Sequence, residues 1–452
     1  MRLSSYDRAL EAAGYGRFQR RLLWLCGFGW AADAMEVMLV SFALPAMAAE
    51  WKLAAAERGL VTTALFVGML AGALFWGRLA DRIGRRSGFV ATIAFDSVFG
   101  LASAFAPDFA CFFILRALTG FGVGGTLPVD YGMFSEFLPA KDRGKRLVLL
   151  ESFWAYGTIA AAGLAWLVVP RLGWRWLFAL SALPGLVLFA VRRSMPESPR
   201  FLAAEGRFDE ARQIVLGVAA TNGVDAARID EALGAAGGIS GRTAHPEADR
   251  RAYRARDLFA PELKRTTFLL WLVWFTISVG YYGTFTWLPS WLRAKGFPLP
   301  SVYPMSFFLA LAQLPGYYSA AYLVERWGRR RTLGAYLVAS GACALLFAFT
   351  RTPAAITVTA AALSFFALGS WGALYAYTPE AYPTRIRTTG IGAASGMTRL
   401  AGLVGPSIGA FASASAQGGS LLGPLIAFAL VYALGGAGAF LLPHETMGEE
   451  LE

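Results

Sequence analysis

Asp81-Arg82-Ile83-Gly84-Arg85-Arg86 occurs a second time in the chain, with the same spacing of its charges, as Glu325-Arg326-Trp327-Gly328-Arg329-Arg330. The second copy follows the first by 244 residues. A second motif, ExxPxxxR, occupies residues 136–143 and returns with the same offset at residues 380–387. Two independent motifs that share one offset indicate a duplicated structural unit.

The chain around these motifs has the composition of a membrane protein. Of its 452 residues, 56% are hydrophobic and only 16% are charged, whereas soluble domains carry about 25% charged residues. Apolar stretches of about 20 residues, long enough to cross a hydrocarbon core of about 30 Å as helices, recur along the sequence. We predict twelve spans, at residues 19–46, 60–80, 88–106, 110–136, 147–169, 175–193, 266–292, 302–324, 332–350, 354–378, 388–414 and 421–442.

One long polar segment separates the first six predicted spans from the last six. Residues 195–264 carry charges of both signs and contain no apolar run long enough to cross a membrane. We therefore predict an all-α polytopic membrane protein with twelve transmembrane helices in two bundles. The six-helix bundles are residues 1–194 and 265–452, and the segment between them is a cytoplasmic linker.

The distribution of Lys and Arg predicts the orientation in the membrane. The loops on one side hold nineteen basic residues, and the loops on the other side hold seven. Because cytoplasmic loops carry the excess of Lys and Arg, we predict that both termini and the linker are cytoplasmic. The net charge of +11 then reflects topology, and no nucleic-acid partner is expected.

Several chemistries are excluded by the residues that the spans lack. Both histidines, His245 and His444, lie outside the spans, and the three cysteines do not have the spacing of a zinc or redox site. The glycine-rich run in span 4 lies in an apolar segment with no strand before it, and no P-loop accompanies it. We therefore predict that the protein is not an enzyme and has no metal or cofactor. We further predict that it is a monomer in the lipid bilayer and that it uses protons as the coupling ion.

Ionisable residues inside the spans point to the function, because each costs about 2.5–3.5 kcal/mol at a helix centre. Asp33 and Glu36 in span 1 are about 60° apart on the helix and present two carboxylates on one face. Arg116 in span 4 lies at a similar depth, so we expect it to pair with an acid. Protonation of such an acid, or of Glu151 in span 5, would couple proton and substrate binding. The alternatives are a static ion pair or a solvated acid.

Arg399 lies near the middle of span 11 among small neighbours, and its own helix has no adjacent acid. A guanidinium binds a carboxylate through two parallel hydrogen bonds. We therefore predict that Arg399 binds a carboxylate-bearing substrate. The alternative is that it pairs with Glu36 or Glu151 from another helix.

Aromatic side chains could hold a flat substrate beside this arginine, because rings pack offset on one another. Trp287 is close to the outer end of its span, where tryptophans of the membrane interface are equally expected. Gln313 could bond either a ring nitrogen of the substrate or a neighbouring helix. The predicted contacts are Trp154, Trp287, Gln313, Tyr375 and Tyr377.

The motifs together resemble the major facilitator superfamily. They are GRLADRIGRR at residues 77–86 with its second copy, RxxxGxGxGG at 116–125, and PESPR at 196–200. Within that superfamily they are similar to the branch of sugar porters and organic-ion transporters. FWAYG at 153–157 and YYGxxxWxP at 281–289 resemble bacterial nicotinate transporters and the synaptic vesicle glycoproteins of type 2.

The resemblance implies roles for particular residues. In the sugar-porter branch, an Asp of helix 1 and an Arg of helix 4 couple protons to transport, which implies this role for Asp33 and Arg116. Related organic-anion carriers place an Arg in helix 11, as Arg399 is placed. The repeated loop motifs would form ion pairs at the helix ends that break when the inner gate opens, or their arginines only fix the topology. The predicted gating residues are Asp81, Arg85, Glu136, Arg143, Glu325, Arg329, Glu380 and Arg387.

These features together favour a proton-coupled secondary active transporter that works by alternating access in a cell membrane, the inner membrane of a bacterium. The predicted substrate is a small aromatic carboxylate, first nicotinate and then benzoate-like acids. An organic cation or a sugar is the alternative within the same fold. An alternative of another class is a ligand-binding sensor that has lost transport.

Overall fold

The computed structural model describes residues 5–139, 143–192, 195–234, 255–383, 386–415 and 421–446, and all regular secondary structure in these ranges is helical. The helices are α1 Ser5–Ala13, α2 Arg17–Glu50, α3 Ala55–Ile83, α4 Arg85–Ser103, α5 Phe109–Glu136, α6 Arg143–Glu151, α7 Phe153–Leu172, α8 Trp174–Arg192, α9 Pro199–Ala204, α10 Phe208–Asn222, α11 Ala226–Gly234, α12 Lys264–Ala294, α13 Leu299–Leu311, α14 Gln313–Arg326, α15 Arg329–Phe349, α16 Pro353–Glu380, α17 Arg387–Ser415 and α18 Leu422–Phe440, with a 3₁₀ helix at Ala255–Phe259.

Each predicted span corresponds to one of these helices or to a consecutive pair. Span 5 consists of α6 and α7, which are separated at Ser152, and span 8 consists of α13 and α14, which are separated at Ala312. Among the described residues, nine helical stretches are long and apolar enough to cross a membrane. The described part of the chain is thus an all-helical membrane protein, with helices at all of the predicted spans. The end of the bundle near residues 51–54 and 295–298, which the loop charges predict to face outside, is called the outer end below.

The repeated loop motif forms the same turn in both halves. Gly84 and Gly328 have φ angles of 94° and 99°, a region that side chains with a Cβ atom rarely adopt, and each precedes the first residue of the third span of its half. Glu197 accepts the backbone N–H of Arg86 at 3.1 Å, and Glu445 accepts the backbone N–H of Arg329 at 2.7 Å. A carboxylate therefore caps the N-terminus of both helices, where the helix dipole favours negative charge.

Close helix contact in the first half depends on glycine. A Cβ atom added to Gly120 in span 4 would lie 2.0 Å from the carbonyl oxygen of Leu65 in span 2, and one added to Gly68 would lie 1.8 Å from the carbonyl oxygen of Ala117. Both distances are far below van der Waals contact. The glycine run of span 4 therefore serves to bring two helices together, as small residues do in membrane proteins.

The two halves of the bundle touch at the middle and towards the outer end. The Thr63 hydroxyl in span 2 lies 3.4 Å from the Ser407 hydroxyl in span 11. In spans 5 and 8, the ring of Trp166 packs on that of Phe307 at 5.7 Å between centroids. These contacts leave the space between the halves closed at these points and place the cavity described next on the inner side of them.

Candidate functional site

A cavity lies between the two halves, and its empty space, counted together with the solvent at its mouth, is about 660 Å³. Spans 1, 2, 4 and 5 of the first half and spans 7, 8, 10 and 11 of the second half contribute to its wall. The break in span 5 at Ser152 lies between two of the lining residues, so it helps to set their direction. The lining consists of Trp30, Asp33, Met69, Val123, Glu151, Trp154, Trp274, Tyr281, Tyr282, Tyr317, Leu368, Trp371, Tyr375, Ser395, Thr398 and Arg399.

Arg399 is the basic residue of this lining. Its side chain is 7% exposed, and one of its terminal nitrogens donates to the carbonyl oxygen of Ser395, one turn earlier in the same helix, at 3.1 Å. Its Nε atom is buried without a hydrogen-bond partner. Among the described residues, no carboxylate forms an ion pair with Arg399. The guanidinium therefore retains donors that can bind an anion in the cavity.

Aromatic rings form much of the wall around Arg399. Trp371 and Tyr375 are four residues apart in α16 and therefore share a face; their rings are stacked at 5.9 Å and 30°. Trp274 meets Tyr375 edge-on at 5.1 Å. From the other half, the Nε1 atom of Trp154 donates to the hydroxyl of Tyr281 at 3.1 Å, which joins the two halves at the cavity wall. These rings provide flat apolar surfaces for an aromatic ligand.

Two carboxylates line the same cavity. Asp33 in span 1 is 4% exposed, and Glu151 at the end of α6 is 6% exposed. The Nε1 atom of Trp30 donates to Glu151 at 3.3 Å, and the Tyr375 hydroxyl also interacts with Glu151. The cavity thus combines one guanidinium with two acids, and each of the three is almost fully buried.

The acid that pairs with Arg116 is Glu36. Two nitrogens of Arg116 donate to a carboxylate oxygen and to the backbone oxygen of Glu36, both at 2.8 Å, and Ser181 in span 6 donates to the other carboxylate oxygen at 2.7 Å. This corrects the pairing of Asp33 with Arg116 that the resemblance implied. Because the two acids are about 60° apart on the helix, Glu36 points between spans 4 and 6 while Asp33 points into the cavity.

A third buried acid lies beside this ion pair. Asp96 in span 3 is 6% exposed and is close enough to Glu36 and Arg116 to interact with both charges. Gly100, one turn further along the same helix, faces the Glu36 carboxylate, and a Cβ atom there would lie 3.5 Å from it. Asp96 lies within the predicted span 88–106, and only the packing of span 3 on spans 4 and 6 shows which charges it meets.

Three of the predicted substrate contacts lie outside the central cavity. The Nε1 atom of Trp287 donates to the backbone oxygen of Pro406 at 2.9 Å, so its ring is used in packing span 7 on span 11. The Tyr377 hydroxyl donates to the backbone oxygen of His444 at 2.9 Å, because two residues turn the helix by about 200° and direct Tyr377 away from Tyr375. Gln313 lines a second cavity. Arg399, Trp154 and Tyr375 line the central cavity.

Sequence reasoning did not single out several aromatic residues of the wall as substrate contacts. Trp371 would have been found from its spacing to Tyr375, since positions four apart share a helix face. Tyr281 and Tyr282 belong to the YYGxxxWxP motif, and Trp30 lies three residues before Asp33, on the same side of its helix. No simple signal distinguishes Trp274 from the other tryptophans of a chain that has fourteen.

Three of the predicted gating residues form ion pairs with one another at the inner end of the second half. Arg329 lies 3.1 Å from Glu325 and 3.0 Å from Glu380, and the hydroxyl of Thr446 donates to Glu380 at 2.5 Å. In the first half, the hydroxyl of Ser198 donates to Glu136 in the same manner. The side chains of Asp81, Arg85, Arg143 and Arg387 lie outside the described part of the structure.

The described residues contain no group of three or more His, Cys, Asp or Glu side chains that could hold a metal ion. The lining of the central cavity offers charge, hydrogen bonding and aromatic contact to a ligand.

Comparison with known proteins identifies the family. The sequence profile of the Major Facilitator Superfamily matches residues 26–406 and 305–450. The niacin transporter NiaP of Acinetobacter baylyi is 37% identical over 443 residues, which cover 98% of both chains. The organic cation/carnitine transporter 7 of Arabidopsis thaliana is 34% identical, over 98% of this chain and 95% of the relative.

Among solved structures, the xylose transporter XylE from E. coli in a partially occluded inward-open conformation has the same fold. It superposes with a TM-score of 0.76 at 17% identity, over 96% of this chain and 99% of that one. With the profile match and relatives above 30% identity over nearly the full length, the chain belongs to the major facilitator superfamily and is a multi-pass membrane transporter of small molecules.

Proposed function

We propose that the protein imports a small aromatic carboxylate, nicotinate in the first place, together with protons. The observation that carries this proposal is Arg399, a nearly buried guanidinium in the central cavity that forms no ion pair with a described carboxylate. Burying an isolated charge is costly unless a partner arrives. A carboxylate ligand supplies that partner in a geometry that matches the guanidinium.

The rest of the cavity suits a flat heteroaromatic ring. With its carboxylate on Arg399, such a ring would lie against Trp371 and Tyr375, whose stacked pair forms one wall. A ring nitrogen on the far side of the ligand could then reach Asp33 or Glu151 through a shared proton. The similarity to a niacin transporter supports nicotinate over benzoate-like acids, which lack such a nitrogen.

Proton coupling is proposed for the carboxylates of the first half. Asp33 and Glu151 line the cavity, so a proton bound there changes the charge that a substrate meets. Glu36 and Asp96 share the single positive charge of Arg116 in a buried cluster, so the cluster can take up a proton without leaving the arginine unpaired. Binding of proton and substrate would then be linked through the same helix, span 1.

We propose that the protein changes between inward-open and outward-open states by a movement of one half against the other. The contacts of spans 2 and 5 with spans 11 and 8 towards the outer end would open as the inner ends close, when one half rocks against the other. When the protein changes from the inward-open to the outward-open state, the ion pairs of Arg329 with Glu325 and Glu380 would hold the inner ends of the helices of the second half together. We propose a single copy of the chain as the working unit, in a bacterial inner membrane with both termini in the cytoplasm.

An organic cation is the second candidate substrate, and the two cavity acids favour it. Asp33 and Glu151 face the same space, and tryptophan and tyrosine rings attract cations. A relative named for organic cations and carnitine covers nearly the whole chain. Arg399 argues against a simple cation, because a cation in the cavity would meet the guanidinium. Sugars are less favoured, since polyols gain little from an arginine and a set of flat rings.

Uptake into liposomes tests this function. Purified protein is reconstituted, a pH gradient that is acidic outside is imposed, and labelled nicotinate is measured with and without a protonophore. We expect accumulation that the protonophore abolishes, competition by benzoate and weaker competition by an aromatic amine. Stronger competition by the amine would favour the organic cation. Binding of nicotinate without any flux would instead indicate a ligand-binding sensor on a transporter fold.

A further inference from the structure

Glu151 and Tyr375 join the two halves of the bundle at the wall of the central cavity. Glu151 is the last residue of α6 in the first half, Tyr375 belongs to α16 in the second half, and these two helices pack against each other. The Tyr375 hydroxyl donates a hydrogen bond to the Glu151 carboxylate. We infer that Tyr375 is a coupling residue: its bond holds the inner side of the cavity closed while Glu151 is ionised and releases it when Glu151 takes up a proton. This inference rests on the proposed function, since it names the step by which a coupled proton opens the cavity.

The bond lies towards the inner end of the bundle. Glu151 follows the first residue of α6, at position 143, by eight residues, and Tyr375 precedes the last residue of α16, at position 380, by five. At 1.5 Å per residue, these positions are about 12 and 8 Å from the inner ends of their helices. The hydrogen bond of Trp154 to Tyr281 lies about one turn further outward. Separation of Glu151 from Tyr375 would therefore widen the cavity on its inner side.

The Glu151 carboxylate has contacts in both halves. In its own half, the Nε1 atom of Trp30 donates to it at 3.3 Å. In the other half, Tyr317 of span 8 lies close enough to interact with its charge. Polar groups of both halves thus take the place of water around an acid that is 6% exposed.

The charge of Glu151 determines the strength of its bond with Tyr375. Hydrogen bonds to a carboxylate are about twice as strong as those between neutral groups. A protonated carboxyl group also has an O–H of its own, which needs an acceptor. Further hydrogen bonds between the halves join neutral groups and lack this sensitivity to a proton; they link Trp154 with Tyr281, Tyr156 with Tyr318, and Thr63 with Ser407.

Other titratable and charged groups face Glu151 across the cavity. Besides Tyr375 and Tyr317, they are Asp33 of span 1, Tyr282 of span 7 and Arg399 of span 11. The positive charge of Arg399 favours the ionised form of Glu151, whereas an ionised Asp33 opposes it. A substrate carboxylate bound to Arg399 would offset the positive charge. Binding of the substrate and protonation of Glu151 would therefore favour each other, and both would lead to opening on the inner side.

Access to the cavity from the inner side tests the inference without any substrate. Val123→Cys reports this access, because Val123 lines the cavity and lies deeper than the bond, 13 residues before the end of α5 at position 136. In a full-length background that lacks the three native cysteines, labelling by a membrane-impermeant maleimide is followed in inside-out membrane vesicles. At neutral pH, Glu151→Gln and Tyr375→Phe should each raise the labelling rate about fivefold, since a charged hydrogen bond is weakened or lost.

Acidification distinguishes this bond from a general loosening of the bundle. Because the reactivity of a thiol also changes with pH, each variant is compared with the wild type at the same pH. The ratio of the two rates should fall from about five at neutral pH towards about one near pH 5, as the wild-type Glu151 takes up a proton. The double variant of Glu151→Gln with Tyr375→Phe should label no faster than either single variant, because both changes act on one bond.

Tyr336→Phe is the matched control for the loss of a buried tyrosine hydroxyl. The Tyr336 hydroxyl bonds with Ser319 at 2.9 Å, and both residues belong to the second half. This variant should label at the wild-type rate at both pH values. The midpoint of thermal unfolding of every variant is measured alongside and should lie close to that of the wild type.

The inference is overturned if Glu151→Gln and Tyr375→Phe label at the wild-type rate at neutral pH, or if Tyr336→Phe has the same effect as Tyr375→Phe. Ratios that do not depend on pH, or effects that add in the double variant, would also overturn it. Failure of the proposed function is distinct: nicotinate uptake would then be absent while labelling still depended on Glu151 and pH. Normal uptake with unchanged labelling would remove this inference and leave the proposed function in place.

Discussion

Arg116 in span 4 donates to both the side chain and the backbone of Glu36 in span 1, with nitrogen–oxygen distances of 2.8 Å in each case. The two side chains are 0% and 4% exposed. This pair joins two helices of the first half behind the cavity wall, while Asp33 of the same helix faces the cavity itself. Span 1 therefore connects a buried charge cluster to the space that the substrate occupies.

Removal of one member of this pair should be far more damaging than removal of both. Glu36→Ala removes the carboxylate to which Arg116 donates and leaves Asp96 as the remaining acid near the guanidinium. Loss of one partner of a buried pair costs about 3–5 kcal/mol. We expect a markedly lower midpoint of thermal unfolding for Glu36→Ala in detergent. The double variant Glu36→Leu with Arg116→Met should recover much of the stability but not proton-driven uptake. Equal stability of the single variant and the wild type would show that the pair does not hold the fold.

Trp371 and Trp287 provide a matched test of the cavity wall. Trp371 lines the cavity, whereas Trp287 bonds to Pro406 outside it. Trp371→Ala should raise the Kd for nicotinate about five- to tenfold, because one aromatic contact contributes about 1 kcal/mol. Trp287→Phe should leave the Kd unchanged. Isothermal titration calorimetry measures the Kd of both variants. A higher Kd in Trp287→Phe alone would show that the substrate binds beside Trp287 and not in the central cavity.

Much of the architecture could be predicted from the sequence, because the periodic apolar stretches and the repeated motif depend on strong local requirements. A glycine with positive φ at Gly84 and Gly328 and a bilayer-length apolar run leave few alternatives. The position of Arg399 in the wall was also predictable, since a guanidinium in the middle of a span needs either a cavity or a partner.

The detailed pairing was not predictable for a geometric reason. Asp33 and Glu36 differ by only about 60° around the helix, and the rotation of span 1 depends on packing with spans 4 and 6. The same limit applies to Tyr375 and Tyr377, where one faces the cavity and the other the inner end. Sequence spacing gives relative angles on one helix, and the absolute rotation comes only from the neighbouring helices.

The contact of spans 2 and 11 predicts a state-dependent crosslink. The hydroxyls of Thr63 and Ser407 are 3.4 Å apart, which is compatible with a disulfide after replacement of both residues by cysteine. In a background lacking the three native cysteines, oxidised Thr63→Cys with Ser407→Cys should lose uptake, and reduction should restore it. Each single variant serves as the control. Full uptake by the crosslinked protein would contradict opening between these two spans.

We expect the acids of the cavity to be needed for proton coupling and not for the passage of the substrate itself. Asp33→Asn keeps the shape of the side chain and removes the charge that a proton would neutralise. We expect this variant to exchange labelled for unlabelled nicotinate across liposome membranes but not to accumulate nicotinate under an imposed pH gradient. The same accumulation as in the wild type would show that Asp33 does not couple protons, and Glu151→Gln would then be the next variant to measure.

The central claim is that Arg399 binds the carboxylate of the substrate. Its most direct test is the Kd for nicotinate, measured calorimetrically for the wild type, Arg399→Lys and Arg399→Gln. Loss of a charge-assisted hydrogen-bonded contact of about 1.5–3 kcal/mol predicts a Kd that rises roughly 10- to 100-fold in Arg399→Gln, with a smaller rise in Arg399→Lys. Because Arg399 forms no ion pair with a described carboxylate, the midpoint of thermal unfolding should change little. A folded Arg399→Gln protein that binds nicotinate with unaltered affinity would contradict the account.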